Sequence, residues 1–168
     1  MSNLPRLAKQ TTVAACQRLL AIEPLIVHEA DLVGAVMRRS AAQPETRLVG
    51  VVDSDGILTG VIPILRLAEG VIARVVPESL MADISDIADV ARFGHAVEAR
   101  TAKEAMLPPA SIAPEATIGD AFKAMHHLRQ SGLYVVDPDG RPTGYLDLLE
   151  LAIRYLDALE AGPTDAAE

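Results

Sequence analysis

The feature that most constrains the fold of this chain is an internal repeat. The segment Val51–Gly60 reads VVDSDGILTG and returns 84 residues later as Val135–Gly144, VVDPDGRPTG. A second match, Ile26–Ala30 against Ile112–Ala116, is offset by 86 residues, and we place the two extra residues near positions 43–46. A repeat of this length predicts two copies of one supersecondary unit around an approximate twofold axis, so that a site at their seam would be built from both halves.

Composition and charge exclude several kinds of partner. Half of the 168 residues are hydrophobic but only 3% are aromatic, which predicts an aliphatic core and disfavours stacking on single-stranded nucleic acid. The net charge of −8 disfavours binding to any phosphate backbone. The most apolar stretch, residues 61–76, contains three charged residues, and the N-terminus lacks a signal-peptide pattern. The sequence predicts a cytoplasmic protein with no nucleic-acid or membrane partner.

Within each repeat the hydrophobic periodicity changes in the order β-α-β-β-α. In the second copy, Thr117 is a predicted N-cap before a helix, and Asp147 is a predicted N-cap before the last helix, which ends at Leu159. In the first copy, Asp31 is predicted to cap a helix through Arg39. A later helix of that copy is predicted to start at Pro63. The predicted strands of the second copy cover residues 110–112, 133–136 and 143–146. The fold class is therefore α/β in the mixed, α+β sense, with two such repeats packed together.

The chain divides into four predicted segments. They are a first repeat with an N-terminal helix (1–76), an acidic helical connector without a counterpart (77–100), a second repeat (101–161) and a disordered tail (162–168).

The sequence contains no recognisable catalytic or metal-binding pattern. Its single cysteine, Cys16, lies in an apolar helical run and is predicted to be a buried, inert thiol. Of the four histidines, two are adjacent on a predicted helix and two are isolated. The aspartate-rich segments 53–56 and 137–140 lack the glutamate that would complete a calcium loop, so they are predicted to be turns. We expect neither catalysis nor a metal site.

The order of these motifs resembles the CBS domain. Ala105-Met106, Pro108, a short strand, the run Pro114–Thr117, a helix and Val-Val-Asp-x-x-Gly-x-x-x-Gly follow one another as in that family. Residues Thr101–Ala158 carry the pattern closely and Val13–Glu69 more loosely. The resemblance implies a tandem CBS pair, or Bateman module, whose copies pack sheet to sheet. It also implies regulation rather than catalysis, dimerisation through helices, and adenine nucleotides or related adenosyl compounds in the clefts between copies.

By this resemblance, the ligand-binding residues lie where the last strand enters the last helix, in the pattern Gly-hydrophobic-x-Thr/Ser-x-x-Asp. In the second copy Glu150 takes the place of the acid that accepts the ribose hydroxyls, and Asp147 takes the place of the threonine near the phosphates. Two like charges about 4 Å apart repel by roughly 4 kcal/mol at a dielectric near 20, whereas a charge-assisted hydrogen bond gains about 1.5–3 kcal/mol. A phosphate beside Asp147 is thus disfavoured unless a cation bridges the two. The alternative is that Asp147 and Glu150 only cap the helix.

The remaining candidate residues also rest on the resemblance. Ser111, Leu133 and Tyr134 would line the second cleft around the base, and Leu25 is taken as the counterpart of Ser111. The alternative for Tyr134 is a core aromatic with its hydroxyl at the rim. Arg66 replaces the acid in the first copy, which disfavours ribose there. It could meet the phosphate end of a nucleotide in the other cleft or be an ion-paired surface residue.

Two functions follow from these patterns. The first is a stand-alone, homodimeric regulatory CBS pair that holds AMP, ADP, ATP or S-adenosylmethionine in its second cleft and shifts the conformation of an unidentified partner. The second is a ligand-free scaffold or dimerisation protein with degenerate nucleotide sites.

Overall fold

A computed structural model describes residues 8–20, 22–75 and 85–160 of the chain. Within these ranges the helices are α1 (Val13–Leu20), α2 (Val33–Ala42), α3 (Ile64–Val75), α4 (Ile87–Glu98), α5 (Ala102–Ala105), α6 (Ile118–Leu128) and α7 (Leu148–Glu160). The strands are β1 (Ile26–His28), β2 (Leu48–Val52), β3 (Leu58–Pro63), β4 (Ser111–Ile112), β5 (Gly132–Val136) and β6 (Pro142–Asp147). The predicted disordered tail lies outside the described residues.

The strands form two three-stranded sheets with the same topology, in the orders β1-β2-β3 and β4-β5-β6. In each sheet the first pair is parallel and the second antiparallel. The register shifts at equivalent places, between Val51 and Val52 in one sheet and between Val135 and Val136 in the other. The predicted mixed fold of two β-α-β-β-α repeats is therefore confirmed.

Strand pairing corrects the alignment of the two repeats by one residue. Ile26 pairs with Gly50 in the first sheet, and Ser111 pairs with Tyr134 in the second. Because Gly50 and Tyr134 are 84 positions apart, Ile26 is the counterpart of Ser111. The expectation that Leu25 fills this role was wrong, and the first repeat carries one extra residue between its first two strands rather than two.

The hairpin turns form as predicted because each has an aspartate at its start and a glycine at its end. The Oδ1 atoms of Asp53 and Asp137 accept hydrogen bonds from the backbone N–H groups two and four positions later, at 2.8–3.0 Å. Gly56 and Gly140 have φ angles of +78° and +84°, a region that residues with a side chain rarely adopt.

The helix starts match the predictions in the second repeat and differ in the first. Thr117 and Asp120 form a complete capping box at α6. The expected cap at Asp31 was wrong, since α2 begins after Leu32, which makes no side-chain capping bond. Asp31 instead accepts a hydrogen bond from the backbone N–H of His28 at 3.0 Å. The start of α3 at Pro63 was also wrong by one residue, because that proline ends β3.

The helix that precedes the first strand of each repeat packs on the opposite repeat. Thr12, just before α1, forms a bridge with Thr117 of the second repeat, and Thr101, just before α5, forms one with Leu32 of the first. The helix α1 therefore packs on the second repeat and α5 on the first. In the connector between the repeats, α4 packs along α3.

The hydrophobic core has two parts, and the larger one crosses the seam. The first-repeat core joins the outer face of the first sheet to α2, α3 and α5. The second-repeat core contains Leu48 and Val61 from the first sheet together with Tyr134 and Tyr145 from the second. The two sheets thus bury their inner faces against each other, as expected for copies packed sheet to sheet.

Candidate functional site

The predicted residues of the second repeat lie mostly on the inner face of its sheet. Ser111, Tyr134 and Tyr145 form one cross-strand row, and Gly132 and Asp147 form the next. Paired residues in a sheet share a face, so these side chains point toward the first repeat. This cluster lies beside the start of α7, at the end of the sheet where β4 and β5 begin and β6 ends.

Tyr134 connects the two sheets directly. Its buried hydroxyl accepts a hydrogen bond from the backbone N–H of Gly50 at 2.8 Å. It lies 2.7 Å from the carbonyl oxygen of Leu48 and 2.8 Å from that of Leu25, either of which can accept its one proton. A Cβ atom on Gly50 would lie 2.8 Å from Cζ of the tyrosine, so the ring fills the space that the glycine leaves. Burial raises the pKa of Tyr134, which keeps the hydroxyl protonated.

Tyr145 is the second aromatic residue of the seam, and no pattern in the sequence pointed to it. Its ring centroid lies 5.3 Å from that of Tyr134, and its hydroxyl is buried beside the backbone of Arg47 and Leu48. Burial, followed by the nearby Asp147 carboxylate, raises the pKa of Tyr145. The two tyrosines therefore fill the inner faces with aromatic surface that is contributed by the second repeat alone.

Asp147 is the buried carboxylate of this cluster, with 2% of its surface exposed. Its Oδ1 accepts hydrogen bonds from the backbone N–H groups of Leu149 at 2.9 Å and Glu150 at 3.2 Å, which confirms the predicted cap of α7. Its Oδ2 has no hydrogen-bond partner among the described residues. The guanidinium Nε of Arg47, from the first repeat, lies 3.9 Å from that oxygen.

The first three N–H groups of α7 are consequently occupied. Leu148 donates to the carbonyl oxygen of Ser131 at 2.8 Å, and the next two residues donate to Asp147. A phosphate bound at a helix N-terminus depends on free N–H groups there. This helix start offers a carboxylate oxygen instead.

Glu150 is placed next to this cluster in the first turn of α7. Its side chain is half-buried, and in the part of the chain that the structure describes its carboxylate takes part in no hydrogen bond or ion pair. Ser111 is exposed at the start of β4, at the same end of the sheet. These two polar side chains therefore remain available at the rim of the seam.

Leu133 and Arg66 lie apart from the cluster. Strand alternation turns Leu133 to the outer face of the second sheet, toward α6. Arg66 is in the first repeat, where its Nε donates to the carbonyl oxygen of Ala105 at 2.6 Å. The structure thus brings together Ser111, Tyr134, Asp147 and Glu150, and separates the other two predicted residues from them.

A pocket of about 370 Å³ opens at the seam between the repeats. It lies between the lead-in to β1 in one repeat and the middle of β6 in the other. Its lining residues are Gln17, Ile22, Glu23, Pro24, Thr143, Gly144 and Tyr145. None of the predicted site residues is among these seven. Sequence reasoning missed the pocket because its walls come from two distant parts of the chain, residues 17–24 and 143–145.

Other kinds of site are not found in residues 8–20, 22–75 and 85–160. No group of three or more His, Cys, Asp or Glu residues there could hold a metal ion. No helix in these ranges is long and apolar enough to cross a membrane. The buried thiol of Cys16 has its pKa raised to about 11, mainly by burial, so it is a poor nucleophile at neutral pH.

Comparison with protein families and solved structures agrees with this architecture. A family model described as the CBS domain matches residues 102–156. No curated protein matches the chain. A CBS domain-containing protein from Thermotoga maritima is 24% identical, with a TM-score of 0.68 over 89% of this chain and 97% of that one.

Two further solved structures contain bound adenosyl compounds. CBSX2, a CBS-pair protein from Arabidopsis thaliana, was crystallised in complex with AMP. It is 17% identical, with a TM-score of 0.60 over 88% of this chain and 97% of that one. The CBS domain pair of protein MJ0100 was crystallised with 5′-methylthioadenosine and S-adenosyl-L-methionine. It is also 17% identical, with a TM-score of 0.60 over 92% of this chain and 98% of that one. At identities this low, the structural similarity shows a shared fold and no more.

Proposed function

We propose that this chain, a tandem CBS-domain protein, is a non-catalytic, cytoplasmic regulatory module that binds an adenosine-containing ligand beside α7. The observation that carries the proposal is the half-buried Glu150 carboxylate, which has no partner within the described ranges. A carboxylate can accept hydrogen bonds from both hydroxyls of a ribose. Ser111 at the same end of the sheet is the second polar contact. The adenosyl complexes of CBSX2 and MJ0100 support this ligand class.

The charge of the site favours a ligand without phosphates. The N–H groups at the start of α7 are occupied, and the free Oδ2 of Asp147 is negative. Arg47 offsets only part of this charge, because it is half exposed and its Nε lies 3.9 Å away. We therefore expect 5′-methylthioadenosine or the cationic S-adenosylmethionine to bind more tightly than AMP, ADP or ATP.

A thermal-shift and calorimetric panel of these five compounds, with and without magnesium, tests the proposal. A ligand at about 100 times its dissociation constant should stabilise the protein by roughly 2.7 kcal/mol. Glu150→Ala should abolish binding of every adenosyl compound, while Glu150→Asp, which keeps the carboxylate, should retain most of it. Asp147→Thr, which keeps a capping hydroxyl, should raise the affinity for AMP about tenfold, or 1.4 kcal/mol.

Two negative results would each overturn a different part of the proposal. If no adenosyl compound shifts the melting temperature, adenosyl binding is excluded and the scaffold function takes its place. Binding that survives Glu150→Ala unchanged would move the site away from α7, and the 370 Å³ seam pocket would be the next to examine.

A homodimer is the second part of the proposal. The helix α7 presents an apolar stripe at helical spacing in which every residue is between 45% and 60% exposed. The stripe consists of Leu149, Ile153, Leu156 and Leu159. Contiguous exposed apolar surface of this kind marks interaction sites. The resemblance to CBS pairs, which commonly dimerise through their helices, supports a second copy as the occupant. Leu156→Glu should convert a dimer to a monomer in light scattering. Asp157→Lys, at an exposed position outside the stripe, should leave the protein dimeric.

The regulated partner would respond to the angle between the repeats. A ligand can shift that angle only through different affinities for the two arrangements. Tyr134 bonds across the seam near the start of β2, so an adenosyl ligand beside α7 would act on a contact that already joins the two sheets. Small-angle scattering of the dimer with and without the best ligand of the panel tests this, and identical curves would contradict it.

A further inference from the structure

The first repeat contains a pocket at a place where the second repeat carries larger, aromatic side chains. The pocket has a volume of about 430 Å³ and lies between α2, α3 and the segment around α5. Small residues leave this space open, among them Gly34 on α2 and Gly70 on α3. The volume is within the range of roughly 300–1,000 Å³ that small-molecule sites occupy.

The internal duplication shows that the fold does not require this space. Helices α2 and α6 align at an offset of 85 residues, which places Phe122 at the position of Met37. Helices α3 and α7 align at an offset of 84, which places Tyr155 at the position of Val71. In the second repeat the two aromatic rings meet edge to face, with centroids 6.0 Å apart. The same architecture is thus stable with this space occupied by side chains.

The open pocket is also distinguished by its charge. Arg38, Arg66 and Arg100 all line it, in a protein whose net charge is −8. Among the described residues, none of the three forms an ion pair within 4.0 Å. The Glu104 carboxylate lies nearby but accepts the backbone N–H of Arg100 at 2.6 Å. At the position of Arg66 the second repeat has Glu150, so the charge at this one position is reversed between the repeats.

Arg66 is held in place for binding. Its Nε donates to the carbonyl oxygen of Ala105 at 2.6 Å, and its other N–H groups have no acceptor in the described ranges. A guanidinium fixed at one edge can still form two parallel hydrogen bonds to a carboxylate. Apolar side chains, including Val33 and Leu67, supply the remaining walls.

We infer that the first-repeat pocket binds a small amphiphilic organic anion, with its carboxylate on Arg66 and its apolar body between α2 and α3. Arg38 and Arg100 would add to the attraction without contacting the apolar part. This site is separate from the proposed adenosyl site, because none of its lining residues belongs to β4, β5, β6 or α7. The inference does not depend on what binds beside Glu150.

Titration of the ¹⁵N-labelled full chain with octanoate tests the inference. The amide signals of Gly34 and Gly70, two pocket residues, should shift and saturate, whereas Gly119, the counterpart of Gly34 in the second repeat, should not shift. Octylammonium, which has the same chain and the opposite charge, should leave all three signals unchanged. Equal shifts with both compounds would overturn the anion specificity, and no saturable shift with octanoate would overturn the site.

Two variants that copy the second repeat complete the test. Met37→Phe with Val71→Tyr fills the pocket and should abolish the octanoate shifts. Arg66→Glu leaves the pocket open, reverses the charge at this position and should weaken octanoate binding at least tenfold. Arg66 is partly exposed, so the Arg66→Glu protein should stay folded and keep the test decisive if the filled variant does not fold. Octanoate affinity that is unchanged in Arg66→Glu would overturn the inference.

Discussion

Strands β2 and β5 occupy equivalent positions in the two repeats, yet they meet the seam with opposite shapes. Gly50 leaves a space on one inner face, and Tyr134, at the same position of the other, fills it. The outer faces do not differ in this way, since both carry aliphatic residues against helices. Duplication therefore preserved the architecture, and the two copies diverged where they touch each other.

This divergence specifies which surfaces pair. Two copies of the second sheet would bring two tyrosines together, and two copies of the first would leave two glycine-sized spaces facing each other. Only the pairing of unlike repeats gives one ring in one space, with its hydroxyl bonded to the first repeat. Complementary asymmetry of this kind favours association within one chain over association of identical sheets.

The largest expected effect comes from removing the tyrosine. Tyr134→Ala should lower the free energy of unfolding by about 3–5 kcal/mol, because it leaves a large cavity at the seam and removes a buried hydrogen-bonding group. Urea unfolding followed by circular dichroism measures this. Tyr155→Ala, at a half-buried position on α7, is the matched control and should cost less than half as much. A loss below about 1 kcal/mol would show that the seam contributes little to stability.

Filling the space from the other side should have a smaller effect. Gly50→Ala should destabilise the protein by about 1–3 kcal/mol, since the added methyl group would overlap the ring of Tyr134. Gly94→Ala should have the opposite sign and stabilise the protein by about 0.5–1 kcal/mol, because Gly94 lies within α4 with no atom within 4 Å of an added Cβ. Thermal unfolding of the two variants side by side checks both signs, and stabilisation by Gly50→Ala would refute the close fit at the seam.

The capping difference between the repeats predicts changes of about 1 kcal/mol. Thr117→Ala removes the capping box of α6 and should destabilise the protein by about 0.5–2 kcal/mol. Leu32→Thr installs a capping hydroxyl at the equivalent position of α2, which has no side-chain cap, and should stabilise the protein by about 0.5–1 kcal/mol. Denaturant midpoints report both changes. Equal effects of the same sign would mean that the two helix starts do not differ as described.

The smallest effect concerns pH. Hydrogen bonds from Thr117 lower the pKa of Asp120. Because the pKa of Asp120 is lower in the folded state, the ionised carboxylate contributes to the stability of the fold. This contribution is fully present above the ordinary carboxyl pKa near 4 and is lost as the pH falls through the lowered pKa. The variant Asp120→Asn should therefore show a shallower loss of melting temperature below pH 4 than the wild-type chain. The first repeat has Ala35 at this position, so Ala35→Asn is the control and should leave the slope unchanged. Parallel profiles for Asp120→Asn and wild type would contradict the assignment.

Sequence reasoning succeeded where the relevant interactions are local. The order of elements, the aspartate–glycine turns and the cap at Thr117 depend on residues within four positions of each other. The cap at Asp31 failed for a reason that is also local. Its carboxylate accepts the backbone N–H of His28, three positions earlier, and Leu32, which directly precedes α2, has no polar side chain that could cap the helix.

The candidate site was predictable only in part, because some of its contacts join residues that are far apart in the sequence. The positions of Asp147 and Glu150 follow from the cap of α7 and from the resemblance of their segment to a ligand-binding motif. The approach of Arg47 to Asp147 and the three backbone partners of the Tyr134 hydroxyl join residues that are 84 or more positions apart. Hydrophobic periodicity in the sequence does not indicate contacts between residues so far apart.

Two copies of one unit could be read from the amino-acid sequence alone, because repeated hydrophobic patterns and turn residues act over a few neighbouring positions. The contacts between residues of one copy and residues of the other became visible only in the folded chain. The structure places Tyr134 in the space at Gly50, and it shows an open pocket beside Arg66 where the second repeat has two aromatic rings in contact. Complementary shape and volume are properties of surfaces, and those surfaces exist only once both copies have folded and packed.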